Sequence, residues 1–177
     1  MAMLEKKELE YLEKAGLCDR QIRALLDHCY ASAPASRRHH LAERGGLLKH
    51  SVNVTDWLLK LSPAFGCEWK DPASPYIIGM LHDLIKVETY RIGDGDEIEW
   101  TTPALPGHGE ASAIMIMTNL RVCLRPQEVA CIVWHMGAYN LDRYGLDRYR
   151  EALRLFPREI LATHTADMLA AYVTEAE

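Results

Sequence analysis

Residues 76–90, YIIGMLHDLIKVETY, decide how this chain folds. Apolar residues fill the stretch except where His82 and Asp83 stand side by side, and the pattern predicts a buried fourth helix that starts near Pro75 and carries both. A buried charge beside an imidazole is costly unless it is paired or bound to a metal. The dyad therefore needs partners, and the fold must bring polar residues from elsewhere in the chain into an apolar helical core.

Working outward, Gly45 and Gly46 open a third helix that runs through LLKHSVNVTDWLLKL to Ser62 and Pro63. Before it, residues 1–36 carry two N-terminal helices. Leu4, Leu9 and Leu12 lie along one side of the first, which ends near Gly16. Asp19 N-caps the second, which runs to about Ala31. These helices either pack on the core or make a dimer contact, so a homo-oligomer stays open. After the dyad the hydrophobic period falls from 3.6 to 2. VETYRIGDGDEIEW, residues 87–100, alternates around a Gly93-Asp94-Gly95-Asp96 turn and signals a β-hairpin. Helices resume over Gly107–Leu120, Pro126–Met136 and Pro157–Thr174, with Pro126 and Pro157 suited to first helical turns. LDRYGLDRYREALRLF, residues 141–156, turns at Gly145 and is helical beyond it. The expected fold is mainly α, a single-domain helical bundle with one small β-hairpin.

Composition sets outer limits. Of 177 residues, 49% are hydrophobic and 25% charged, which favours a globular chain over disorder. A net charge of −5 argues against tight non-specific binding to long nucleic acid. MAMLEKKELEYLEKAG has no apolar signal-peptide core, and no stretch reaches the roughly 20 apolar residues of a membrane span, so a soluble cytoplasmic protein is expected. The five cysteines, Cys18, Cys29, Cys67, Cys123 and Cys131, are odd in number and contain no C-x-x-C pair. They read as reduced, mostly buried thiols.

Six positions interrupt the apolar faces: His50, the dyad His82 and Asp83, His108, His135 and Asp167. Imidazoles with one or two carboxylates suit zinc, iron, manganese or nickel, whereas calcium prefers oxygen ligands. Their spacing matches no zinc-protease pattern, and a lone histidine on an apolar face is commonly a hydrogen-bonded core residue. The number of such positions in separate helices favours a shared site.

The order His50, His82-Asp83, Asp167 resembles the H…HD…D signature of the HD-domain metal-dependent phosphohydrolases. The likeness includes GGLLKHS around His50, LHDLIK around the dyad, GHGE around His108, WHMG around His135 and THTADMLA around Asp167, and it covers roughly residues 37–172. RRHHLAERGGLLKHS, residues 37–51, is similar to the HD domain of bacterial 3′-to-5′ exoribonucleases, but 177 residues leave no room for the OB domain joined to it there. GHGE and WHMGAYN are closer to short, stand-alone HD proteins of bacteria and phages. The resemblance implies one HD domain over residues 1–177, with the metal-site core in 37–172.

By the same resemblance, His50, His82, Asp83 and Asp167 hold a first metal. Asp83 bridges to a second ion held by His108 and His135, or, with one ion, those two histidines meet substrate. Two divalent ions, of manganese, iron, nickel or zinc, are the favoured loading. Lys86, four residues after His82 on a helix, is placed to meet a phosphate oxygen, or else to pair with Glu88 or Asp83. Glu110 is a proton-transfer candidate, or an acid favoured by a helix N-terminus. Arg37, Arg38 and His40 form a loop that grips a phosphate or base, or is simply solvated. Tyr139 is a candidate to stack on a base, or a core residue. His164, three residues before Asp167, either orients that carboxylate or sits apart from it. The expected activity is a metal-dependent phosphohydrolase with Asp83, Lys86 and Glu110 in catalysis, acting on a nucleotide, cyclic nucleotide or short oligonucleotide. A 3′-to-5′ nuclease, a non-catalytic metal-clamped sensor or interaction module, and iron-dependent oxygen chemistry are the alternatives.

Overall fold

Helix α3, Gly46–Phe65, is the longest element, and the site is assembled around it. In a computed structural model that describes residues 4–93, 97–105, 107–139 and 141–176, the chain is mainly helical with one two-stranded hairpin. Helices α1 (Lys6–Lys14) and α2 (Asp19–Asp27) precede α3; α4 (Ser74–Leu81) and a short α5 (Lys86–Thr89) follow. Strands β1 (Tyr90–Ile92) and β2 (Ile98–Trp100) lead to α6 (His108–Thr118), α7 (Pro126–Val133), α8 (Arg143–Leu155) and α9 (Pro157–Leu169). A π-helical turn, Ala170–Thr174, ends the fold.

One hydrophobic cluster reaches from Leu12 to Ala170, with Leu47, Leu58, Ile78, Leu81, Ile116, Ile132 and Ile160 fully buried. Helix α3 packs against α4 on one side and α9 on another, while α6 lies on α7. The N-terminal helices join this core. Leu12 is buried where α1 meets α4, the Tyr11 hydroxyl donates to Asp56 on α3 at 2.6 Å, and Gln21 of α2 donates to the Leu120 carbonyl at 2.8 Å. No helix among the described residues is long and apolar enough to cross a membrane.

The decisive stretch is helical but interrupted. Helix α4 stops at Leu81, and the dyad lies in a run of tight turns before α5. Leu84 N–H bonds the Leu81 carbonyl and Lys86 N–H bonds the Asp83 carbonyl, three residues back instead of four. This tightening rotates the side chains out of α-helical register. Other boundaries differ for local reasons. Cys18, not Asp19, is the N-cap of α2, with its N–H bonded to the Gln21 side chain, and α2 ends at Asp27, short of Ala31. Gly145 does not turn the chain; it sits in the first turn of α8, where its N–H bonds the Asp142 cap at 2.7 Å. The hairpin pairs Tyr90 with Trp100 and Ile92 with Ile98, while Val87 to Thr89 belong to α5 and Trp100 is 53% exposed. The Asp94, Gly95 and Asp96 part of its expected turn lies outside the described residues. All five cysteines are free, but only Cys131 is buried, because Cys18, Cys29 and Cys123 fall at helix ends and connections.

Two glycines set the helix spacing that the site depends on. A Cβ on Gly79 would come within 2.3 Å of Thr55 Oγ1 and 2.7 Å of Thr55 Cα, so α4 approaches α3 along its bare backbone. A Cβ on Gly109 would meet the Ile132 and Val133 carbonyl oxygens at 2.4 and 2.6 Å, which draws α6 onto α7. Backbone cannot yield as a side-chain tip can. Gly79→Ala is expected to destabilise the protein by about 1–3 kcal/mol through overpacking, read as a lower urea midpoint at constant slope.

Candidate metal centre

Five elements deliver one buried polar cluster. His50 comes from α3, His82 and Asp83 from the turns after α4, His108 from the start of α6, His135 from the turn after α7, and Asp167 from α9. His50, His82 and His135 have no exposed surface, and Asp83 is 3% exposed. His50 Nε2 lies 3.1 Å from Asp167 Oδ1 and 3.7 Å from Asp83 Oδ2. His82 Nε2 is 3.4 Å from Asp83 Oδ2, and His135 Nε2 is 3.4 Å from Asp83 Oδ1. His108 Nε2, whose side chain is 34% exposed, sits 2.5 Å from Asp83 Oδ1 and marks the open edge.

Each of the three buried rings is held by its other nitrogen. His82 Nδ1 meets the Gly79 carbonyl at 3.0 Å, His135 Nδ1 the Ile132 carbonyl at 2.7 Å, and His50 Nδ1 the Glu175 carboxylate at 3.0 Å. A nitrogen that donates to a carbonyl or carboxylate carries a proton, so in the neutral, metal-binding imidazole Nε2 is the nitrogen with the free lone pair, whereas without an ion the carboxylates it faces favour a second proton there at His50 and His135. All three Nε2 atoms are buried without a hydrogen-bond partner, and all three face the carboxylates. This is how histidine ligands of a metal are oriented by their surroundings. His50, His82 and Asp167 form one three-ligand group, and His82, Asp83 and His135 form another. The imidazole and carboxylate donors fit a divalent transition ion.

Electrostatics without an ion show what the arrangement compensates. Burial disfavours charge on every member, and at His82 it prevails and lowers the pKa. Burial also acts against His50, yet the Asp167 and Glu175 carboxylates raise it to about 9. His135 is raised against burial by Asp83. Burial would push Asp83 up, but Lys86, His82 and His108 hold it well below the usual carboxylate range, and Asp167 is lowered by His50 in the same way. A raised histidine pKa contributes stability that is complete below its unfolded value and fades as the pH climbs through the folded one. Chelator-treated protein is therefore expected to lose urea stability between about pH 6.5 and 9, from His50 and His135 together. A flat profile across that window would remove the assigned pairing.

The other candidates divide. Lys86, 8% exposed, places Nζ 2.5 Å from Asp83 Oδ2, three residues back, while Glu88 is exposed. Glu110 is exposed, its carboxylate lies over Gly107, and among the described residues it makes no contact with the Asp83 cluster. Arg37 is exposed and Tyr139 is 69% exposed, both outside the cluster. Arg38 and His40 line a groove of about 730 Å³ on the Nδ1 side of His50. Another groove of about 660 Å³, between the hairpin and the loop after α2, does not include the cluster histidines. His164 does not reach Asp167; its Nδ1 bonds the His135 carbonyl at 2.7 Å and its ring packs on Gly137.

Glu175 escapes a reading of the sequence. It follows the π-helical turn, its side chain is 1% exposed, and it bonds both His50 and Asn53 of α3. In the sequence it is one acid in a charged tail, TEAE. Only the π-helical widening after Leu169, pinned where Trp57 Nε1 donates to Thr174 Oγ1 at 2.8 Å, turns it inward. No protein-family model, curated protein or solved structure matches this chain.

Proposed function

We propose that the protein is a metal-dependent phosphohydrolase of the HD-domain type, acting on a small phosphorylated substrate such as a nucleotide, a cyclic nucleotide or a short oligonucleotide end. The observation that carries this reading is the convergence of three oriented, unpartnered Nε2 atoms on Asp83 and Asp167. A divalent ion held there supplies hydroxide near neutral pH and positive charge for a phosphate group. His50, His82, Asp83, His135 and Asp167 would hold it, and the two overlapping ligand groups favour a pair of ions, with His108 completing the outer one at Asp83.

The remaining residues position and admit. Substrate reaches the centre by the His108 edge, since the other members are nearly enclosed. The net charge of −5 favours a compact phosphoester over a long polymer. Purified protein supplied with manganese is expected to release phosphate or nucleotide from a panel of nucleotides, cyclic nucleotides and short oligonucleotides. Full metal occupancy with no turnover of any of them would favour the closed, non-catalytic clamp. Strong, salt-dependent binding of single-stranded nucleic acid would move the substrate towards a nuclease's.

A further inference from the structure

Five imidazoles stand in a row through the molecule: His40, His50, His82, His135 and His108, with successive ring centroids 4.9, 5.4, 4.9 and 5.6 Å apart. The centre at Asp83 accounts for the last four. His40 stands at the far end, on the groove side of His50, and its Nε2 is buried without a hydrogen-bond partner.

The loop that carries His40 is built to hold it there. Ser36 Oγ donates to the His40 carbonyl at 2.9 Å and accepts from His39 N–H at 2.9 Å, while Ala35 N–H bonds the Leu41 carbonyl at 3.1 Å. Leu41, the next residue, takes a φ of +46°, in the left-handed region that a leucine avoids. An unmet buried nitrogen and a left-handed leucine are each unfavourable to the folded state. A ligand for His40 Nε2 would offset the first and explain why the second is tolerated.

Glu175 faces this nitrogen. Its Oε2 is 4.0 Å from His40 Nε2 and 3.0 Å from His50 Nδ1, and the three residues' ligand atoms all lie within 4.8 Å of one another. Two imidazole nitrogens and a carboxylate suit a borderline transition ion such as zinc. Outward, the groove of about 730 Å³ leaves space for water or an anion as further ligands.

We propose that His40, Glu175 and the Nδ1 edge of His50 form an outer divalent-metal site at the groove, separate from the centre at Asp83. It requires no particular reaction at that centre. Zinc on Nδ1 displaces to solvent the proton that this nitrogen gives to Glu175, which leaves a lone pair at each nitrogen of His50, one for each ion, and this cost makes the outer ion the more weakly held. His40 is the ligand that belongs to the outer site alone, and the test turns on it.

Zinc titration with elemental analysis compares the full-length protein with His40→Ala and Glu175→Gln, the folding of each checked by circular dichroism. The wild type is expected to take up one zinc more per chain than either variant, while Asp83→Asn loses inner zinc and keeps the outer ion. Nitrogen NMR of labelled histidine gives a second reading: zinc should shift the His40 Nε2 resonance in wild type. Unchanged zinc stoichiometry in His40→Ala, or a His40 resonance indifferent to zinc, overturns the outer site whether or not the protein hydrolyses phosphoesters. Should His40→Ala misfold, His40→Gln in the same titration carries the comparison.

Discussion

Asp83→Asn is expected to abolish the proposed hydrolysis, with turnover falling about a thousand-fold, and to prevent metal binding at the proposed inner centre. The side chain keeps its shape and loses only its charge and one acceptor oxygen. That charge is what His50, His82, His108 and His135 all face, at 3.7, 3.4, 2.5 and 3.4 Å. A neutral amide cannot balance a divalent ion surrounded by imidazoles, so the several kcal/mol that an ion contributes to a phosphoryl-transfer barrier are lost, at about 1.4 kcal/mol per tenfold in rate. Elemental analysis and phosphate release, both normalised to the folded fraction, decide the matter. A variant that keeps its metal and its rate would take Asp83 out of the mechanism. One that keeps its metal and loses its rate would narrow the role of Asp83 to the chemistry itself.

The sequence made the positions of His50, His82, Asp83, His135 and Asp167 legible because each is a polar residue in an otherwise apolar run, and burial leaves such residues few alternatives to meeting one another, whether they lie in helices, as His50 and Asp167 do, or in the turns after them. The mainly α fold with a hairpin was legible for the same reason: periodicity reports burial directly. What it left open was the partner of Lys86. A phosphate oxygen, Glu88 and Asp83 all lay within reach of its side chain, and the packed structure places Nζ on Asp83. Nor does local pattern announce a residue whose role depends on the chain's far end. Glu175 reaches His50 across 125 positions, and nothing in TEAE distinguishes it from its charged neighbours. Exposed candidates such as Arg37 and Tyr139 had no such constraint, since a solvated residue can point anywhere.

Lys86→Met is expected to destabilise the chelator-treated protein by about 3–5 kcal/mol, and added manganese or zinc should restore most of the loss. Lys86 is nearly buried, and although burial opposes its charge, Asp83 keeps its pKa above the usual lysine value. Methionine preserves the apolar stem but removes the ammonium, so Asp83 and Asp167 lose a compensating charge in a region closed to water. Removing one partner of a buried pair carries a penalty of that size because the survivor stays desolvated. A bound ion supplies the missing charge, and saturation at about a thousand times its dissociation constant adds about 4 kcal/mol to the folded state. Urea denaturation with and without metal measures both quantities. The same variant separates two roles for the lysine. If Lys86 only balances Asp83, the metal-loaded variant should match the wild type in KM and kcat. If its ammonium swings to a substrate phosphate once metal occupies the aspartate, KM should rise in the loaded protein while its stability stays restored. A chelated variant as stable as the wild type would mean that the 2.5 Å contact contributes nothing to the fold, and the charge balance of the centre would have to be reassigned to the histidines.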